Sequence, residues 1–397
     1  MRRVLVAIAG AVVALSLAAC GGSGAGGTTT TTAEPSDAAT SAGGDASAPA
    51  DASGTLVGVA MPTQTSERWI ADGNAVKEGL EKAGYTVDLQ YAGDDIPTQT
   101  QQIDAMITEG AKVLIIAAID GTALTSQLEA AAAAGIKVIA YDRLIRDSEN
   151  VDFYVTFDNF AVGVAQATAL IHGMGLVDRD GKPAADAPAG PLNVELFAGS
   201  LDDNNAHFFF NGAMSVLQPL IDDGTLVVPS GQTSIEQAAT LRWLQETAQK
   251  RMEDLLTANY SDGKKLDGVL SAYDGLSRGI ITALQSFGMG PTITEGLPIV
   301  TGQDAEIASV KLINDDVQSS TIFKDTRTLA AKAVEVTQNY LEGTEPEPNN
   351  TTDYDNGKKV VPSFLLPVVT VYKDDIQKEL VDSGYWTADE VAAGVAN

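Results

Sequence analysis

From Thr55 onward, short runs of β-branched and aliphatic residues alternate with longer stretches in which apolar positions recur every three or four residues. The short runs predict strands over 56–61, 86–91, 112–118, 137–141 and 153–157. Between the first two, a helix predicted over 66–83 places Trp69, Val76, Leu80 and Ala83 on one face, and Gly84 follows as its stop. Strands separated by such helices predict a parallel sheet covered on both faces. The rhythm restarts at 192–197 and continues through 226–228, 268–271 and 299–301, after an Ala- and Pro-rich surface insertion over 181–190. Two doubly wound α/β lobes follow, the second beginning near Asp158. The runs 320–323 and 360–371, the latter broken by Pro362 and Pro367, fit neither lobe and are compatible with crossings between them.

The chain before Thr55 has a different character. Arg2 and Arg3 precede an apolar run over 4–17, too short to span a bilayer comfortably, and Leu17-Ala18-Ala19-Cys20 ends in the only cysteine of the chain. This is the layout of a secretory signal. Small residues before a lone cysteine also resemble the lipobox of bacterial lipoproteins, a family in which the signal is cut before the cysteine and the new N-terminus carries lipid. On that resemblance residues 1–19 are a lipoprotein signal peptide and Cys20 is the lipidation site; the alternative is an ordinary cleaved signal with an incidental cysteine. Residues 20–54 hold almost no large apolar side chain, which predicts a disordered tether. Its mean reach, for about 34 residues, is on the order of 30–35 Å.

The 397-residue chain carries 53 acidic against 25 basic residues, a formal net charge of −28. Such a surface repels nucleic acid and anionic head groups, so neither is an expected partner. One cysteine permits no intrachain disulfide and no thiolate metal site, and two histidines, His172 and His207, leave little for zinc. No metal and no cofactor are expected.

In open parallel sheets ligands sit beyond the carboxyl ends of strands, and polar clusters recur there. The first predicted strand leads to Ser66-Glu67-Arg68-Trp69, the fourth to Asp142-Arg143 and the fifth to Asp158-Asn159. In the second lobe come Asp202-Asp203-Asn204-Asn205, Tyr273-Asp274 and Gln303-Asp304; Lys324-Asp325 follows the run at 320–323, and Arg242-Trp243 opens a helical segment. Planar Asp, Asn and Arg groups bond adjacent hydroxyls, and an indole face covers the apolar side of a sugar ring. Each cluster alone is equally compatible with caps and turns. Trp69 lies on the apolar stripe of its helix, so packing competes with ligand contact there, whereas Trp386 near the C-terminus reads as packing.

Two motifs point elsewhere and fail. Gly275-Leu276-Ser277-Arg278-Gly279 fits the nucleophile elbow of hydrolases, but no histidine follows it to serve as base. Asp178-Arg179-Asp180-Gly181 lacks the further acidic positions of a calcium loop and reads as a solvated turn.

The strings 66–69, 138–145, 199–206, 273–275, 302–305 and 361–363 together resemble the monosaccharide-binding lipoproteins of ABC importers, in particular the xylose-binding and multiple-sugar-binding proteins. The resemblance covers the chain from about Thr55 to its end. It implies the type I periplasmic-binding fold: an N-terminal lobe of 55–158 plus 326–361 and a C-terminal lobe of 159–322 plus 364–397. A three-segment hinge would lie near 157–159, 323–325 and 361–364. It also implies sugar contacts from Arg68, Asp142, Arg143, Asn205, Trp243, Asp274, Asp304 and Lys324, to which the strand-end clusters add Trp69 and Asn204. Asp274 stands where the xylose-binding members carry Asn. The implied protein is a monomer and not an enzyme, held outside the cytoplasm by lipid on Cys20. It would deliver an aldose to an ABC permease and its ATPase; the alternative is a sugar-sensing subunit for a chemoreceptor or two-component kinase. An enzyme using Asp142 and Asp274 as paired carboxylates is a further, weaker reading.

Overall fold

The computed structural model describes residues 54–396; the signal peptide, Cys20 and nearly all of the tether fall outside them. In chain order the strands are β1 (Leu56–Met61), β2 (Thr86–Tyr91), β3 (Val113–Ile116), β4 (Lys137–Tyr141), β5 (Phe153–Phe157), β6 (Leu192–Leu196), β7 (Leu226–Val227), β8 (Gly268–Leu270), β9 (Ile299–Val300), β10 (Thr321–Phe323), β11 (Ser363–Leu366) and β12 (Val369–Val371). The helices are α1 (Glu67–Lys82), α2 (Ile96–Thr108), α3 (Thr125–Ala133), α4 (Asn159–Gly173), α5 (Asn204–Asp222), α6 (Ile235–Ala238), α7 (Gln245–Asn259), α8 (Asp274–Ser286), α9 (Ile307–Asn314), α10 (Thr326–Leu341) and α11 (Ala388–Ala393).

A six-stranded sheet in the order β11-β5-β4-β3-β1-β2 builds the first lobe, every pair parallel. Period-two alternation sends Val57, Val59 and Met61 of β1 to one face, where Val76 and Leu80 of α1 meet Leu329 and Ala333 of α10. Ala60 and Leu114 turn to the other face, against Ile103 and Met106 of α2. Gly84 takes the left-handed conformation (φ 97°) that ends α1 where the pattern placed its stop. The second lobe holds a parallel sheet in the order β7-β6-β8-β9, flanked by α4 and α5 on one side and by α7 and α8 on the other. β10 and β12 pair antiparallel beside it, joined through a bridge between Gln303 and Ile322.

Three segments pass between the lobes. Asp158 links β5 to α4, and Lys324-Asp325 links β10 to α10. Both aspartates cap the helix they enter, Asp158 accepting from the Ala161 N–H at 2.9 Å and Asp325 from the Arg327 N–H at 3.0 Å. The third crossing is Pro367-Val368, between β11 and β12. Its expected place, 361–364, is corrected: Ser363–Leu366 pairs with Tyr154–Phe157 of β5 and so belongs to the first lobe's sheet. After β12 the chain stays on the second lobe, where Val391 of α11 packs with Ile307 and Val310 of α9.

Candidate functional site

The carboxyl ends of both sheets face one cleft of about 620 Å³, within the range of small-molecule sites. The first lobe contributes Arg68 and Trp69 from the start of α1, and Asp142 and Arg143 from the turn after β4. The second contributes Asn205 at the start of α5, Trp243 ahead of α7 and Asp304 after β9, while Lys324 comes from the crossing after β10. Asn204 and Asp274 do not line it. Asn204 is partly buried one position away from the wall. Asp274 is fully buried beneath it, and Tyr273 and Gly275 line the cleft on either side.

Arg68 organises the cleft floor. Only 5 % exposed, its guanidinium donates through Nε to Asp72 Oδ2 at 3.0 Å and pairs through Nη2 with Asp142 Oδ1 at 2.9 Å. Nη1 lies 3.6 Å from Asp304 Oδ1, which Lys324 Nζ approaches to 2.9 Å. Asp142 and Asp304, one from each lobe, thus share two cations. Burial opposes the charge on Arg68, yet Asp142, Asp72 and Asp304 hold its pKa well above the ordinary value. Burial likewise works against the Asp142 carboxylate, but Arg68, Lys324 and Arg143 outweigh it and keep its pKa below the usual range. Asp72, whose second oxygen accepts from Tyr141 Oη at 2.5 Å, is pushed up by burial to about 6 despite Arg68.

The main chain of Asp142 is held as firmly as its side chain. At φ 59° it sits in the left-handed region, and its carbonyl accepts from Tyr154 Oη at 2.6 Å, Thr156 Oγ1 at 3.0 Å and Asn205 Nδ2 at 2.8 Å. Asn205 Oδ1 also accepts from Asn159 Nδ2 at 3.0 Å. The Asn205 amide therefore straps the second lobe to the first and keeps one N–H for anything in the cleft. A second strap is ionic: Arg143 Nε meets Asp203 Oδ2 at 3.1 Å, and burial pushes the Asp203 carboxyl up against the pull of Arg143.

The two tryptophans are held differently. Trp69 is 4 % exposed within the first lobe's core, with the guanidinium carbons of Arg68 and Arg143 at 4.5 and 5.1 Å from its ring centroid. It packs and lines the cleft at once. Trp243 sits in a turn where Arg242 and Trp243 both adopt positive φ, 57° and 58°, with the Arg242 N–H donating to Ser200 Oγ at 2.8 Å. Its indole lies against the Gly199 backbone so closely that a Cβ there would meet the ring at 1.9 Å. Phe209 and Tyr273 hold it edge-on at 6.3 and 6.2 Å, and its Nε1 is buried without a hydrogen-bond partner among the described residues.

Some residues in the cleft wall and directly behind it escaped the sequence reading. Asp72 lies one helical turn after Arg68, an i,i+4 spacing that was readable. Asp203 and Tyr273 sat inside clusters already noted. Glu306, which accepts from Ser66 Oγ across the cleft at 2.6 Å, from Tyr273 Oη at 2.5 Å and from Arg278 Nη2 at 2.7 Å, carried no local signal. Ser277 of the elbow-like motif lies in the first turn of α8, fully buried, its hydroxyl donating to the Thr301 carbonyl at 2.7 Å. No group of three or more His, Cys, Asp or Glu among the described residues is arranged to hold a metal ion.

Residues 57–345 match the family model described as a periplasmic binding protein domain. The chain belongs to the periplasmic binding protein domain family. It is 56 % identical over 335 residues to the multiple sugar-binding periplasmic receptor ChvE of Rhizobium radiobacter, covering 84 % of this chain and 92 % of that one. The D-xylose-binding periplasmic protein of Escherichia coli is 35 % identical over 335 residues, with the same two coverages. Among solved structures, an ABC transporter solute binding protein of Clostridium phytofermentans with bound β-D-glucose superposes with a TM-score of 0.79 at 45 % identity, covering 85 % of this chain and all of that one. The two parallel-sheet lobes of this periplasmic binding protein are the type I fold expected from its sequence. The matched domain ends before β11, so the third crossing and the C-terminal segment lie beyond it.

Proposed function

We propose that the protein captures a pyranose monosaccharide in the cleft and, tethered by lipid on Cys20 outside the cytoplasm, delivers it to an ABC permease. The observation that carries this reading is the composition of the cleft wall. Asp142, Asp304, Arg68, Arg143 and Lys324 are planar or ionic groups able to bond hydroxyls in pairs, and Trp243 offers an indole to a C–H face. Hydrogen bonds to ionised partners, each worth about 1.5–3 kcal/mol, offset the cost of stripping water from many hydroxyls. Relatives named for multiple sugars and for D-xylose, and the solved structure holding β-D-glucose, support an aldose over other polyols. A ligand bonded to both lobes has higher affinity for the closed arrangement, and that difference drives closure.

Calorimetric titration of the purified chain with xylose, glucose, galactose, arabinose, fucose, ribose and galacturonate tests the reading. Tight binding of one or a few sugars is expected; silence across the panel from a folded sample refutes it. Radiolabelled fatty acid incorporated by the wild type and lost in Cys20→Ser tests the anchor. Because one relative is named a receptor, a sensing role for the same cleft is the second reading. A deletion strain that still grows on the bound sugar but no longer responds to it would favour sensing over import.

A further inference from the structure

We propose that Asp274 and Trp386 are positioning residues for ligand capture, holding from behind the strained turn at Asp304–Ala305 that presents the Asp304 carboxylate to the cleft. This rests on the function proposed above. Two consecutive non-glycine residues of this turn have left-handed backbones, φ 91° at Asp304 and 50° at Ala305. L-residues persist there only when the surroundings over-determine the conformation.

The surroundings here are specific. The Asp304 N–H donates to the Ile322 carbonyl at 2.9 Å and the Ala305 N–H to Thr321 Oγ1 at 3.1 Å. The Glu306 N–H donates to Asp274 Oδ2 at 3.0 Å, and Thr321 Oγ1 donates to the same oxygen at 3.1 Å. Asp274 Oδ1 accepts from Gln318 Nε2 at 2.8 Å, and the Asp274 N–H donates to the Gln303 carbonyl at 3.0 Å. The side chain is so closely applied to the strand end that a Cβ at Gly302 would lie 2.1 Å from Oδ1. Every partner of this fully buried carboxyl group belongs to the segment carrying Asp304 or to its immediate supports. Asp274, expected to touch the ligand directly, instead fixes the residue that does line the cleft.

The Ala305 carbonyl completes the turn, accepting from Trp386 Nε1 at 2.9 Å. Trp386 lies between β12 and α11, outside the matched domain and outside the cleft lining. Its ring stands edge-on to Tyr385 at 5.1 Å, and Tyr385 in turn to Phe323 at 4.7 Å. Through one indole N–H, the C-terminal segment buttresses the binding turn. The consequence appears at the Asp304 carboxylate, placed within reach of Lys324 and Arg68.

Trp386→Phe removes the N–H and keeps an aromatic ring. Asp274→Asn keeps the shape but turns one amide N–H toward a former donor. In the full chain, each is expected to weaken binding of the wild type's preferred sugar by about three- to ten-fold, the weight of one hydrogen bond. Each is also expected to speed amide exchange in peptides spanning 303–307, read by mass spectrometry, with exchange in β1 and β3 unchanged. Thr321→Val, which removes the acceptor for Ala305, substitutes for either variant that fails to fold. Unchanged affinity, or weaker binding without faster exchange at 303–307, overturns the proposal. A wild-type chain silent toward every sugar removes the functional reading itself, and is distinguished because it appears before any substitution.

Discussion

Asp72 and Asp142 grip the same guanidinium, yet their titrations run in opposite directions. Asp72 accepts from Arg68 and Tyr141 but is fully buried, and its pKa rises to about 6. Between about 4 and about 6 the folded chain therefore holds a proton at this site that the unfolded chain has released, so its contribution to stability falls as pH rises through that window. Asp142 has cations on several sides and a depressed pKa, so its contribution is present above the ordinary carboxylate pKa and is lost as pH falls through the folded value. The two are separable by substitution. Subtracting wild-type stability from that of Asp72→Asn, measured by urea unfolding, is expected to give a difference that shifts toward the variant as pH rises from about 4 to about 6 and is level above. For Asp142→Asn the same subtraction shifts toward the wild type as pH rises from the acid side. Equal slopes in both variants would contradict the assignment. At neutral pH Asp142→Asn is also expected to weaken sugar binding at least about ten-fold while the chain stays folded, because Arg68 keeps Asp72 and Asp304 as partners.

At the scale of elements, the contact that fixes Trp243 is between two loops, the one after β6 and the turn ahead of α7. Gly199 has no room for a side chain against the indole. Gly199→Ala is expected to displace the ring, changing its near-ultraviolet circular dichroism and weakening sugar binding by about ten-fold. The associated stability loss is about 1–3 kcal/mol, the usual penalty of overpacking. An unaltered spectrum with full affinity would show that the ring moves freely and has no part in the site. The strands around these loops were legible because β-branched runs bounded by turn residues have few alternative readings; β1, β2, β4 and β5 begin and end where the pattern put them. The loops were not. Neither Arg242-Trp243 nor Asp304-Ala305 contains glycine or asparagine, and only Asp304 is of a type that visits the left-handed region with any frequency, too weak a signal to mark either turn. Position after a strand gave Asp142 and Asp274 equal standing, yet one faces the cleft and the other turns under it, a choice made by Gln318, Thr321 and the Glu306 N–H, distant in sequence. The third crossing was misplaced for a related reason. Pro362 breaks the run, but pairing with β5 resumes at Ser363, and that partner is some 200 residues upstream.

Across the whole molecule, the bonds that join the lobes over the cleft decide how long a captured ligand stays. Arg143 with Asp203, Asn205 with the Asp142 carbonyl, Arg242 with Asp94 at 3.6 Å and Ser66 with Glu306 all span it. Each of these bonds involves at least one residue of the cleft wall, so an equilibrium affinity alone would confound closure with ligand contact, and rates are needed to part them. In the Ser66 bond only one partner lines the cleft, since Glu306 lies behind its wall. Ser66 stands at the N-cap of α1 but makes no side-chain capping bond; its hydroxyl is turned toward the buried Glu306, to which it donates. When the lobes part, the side chain is free to rotate so that its oxygen accepts from the first-turn N–H groups of α1, and that new acceptance offsets part of the donation lost to Glu306. Glu306 feels the difference more, keeping Tyr273 and Arg278 but losing Ser66, its hydrogen-bond partner from the other lobe among the described residues. Ser66→Ala removes both the latch and the substitute cap. It is therefore expected to speed sugar dissociation by about three- to ten-fold in stopped-flow fluorescence while leaving association nearly unchanged, since encounter with the open cleft precedes the latch. A slower association with unchanged dissociation would mean that Ser66 acts on the open state, as a cap, and that the lobes are held by the ionic pairs and the Asn205 strap.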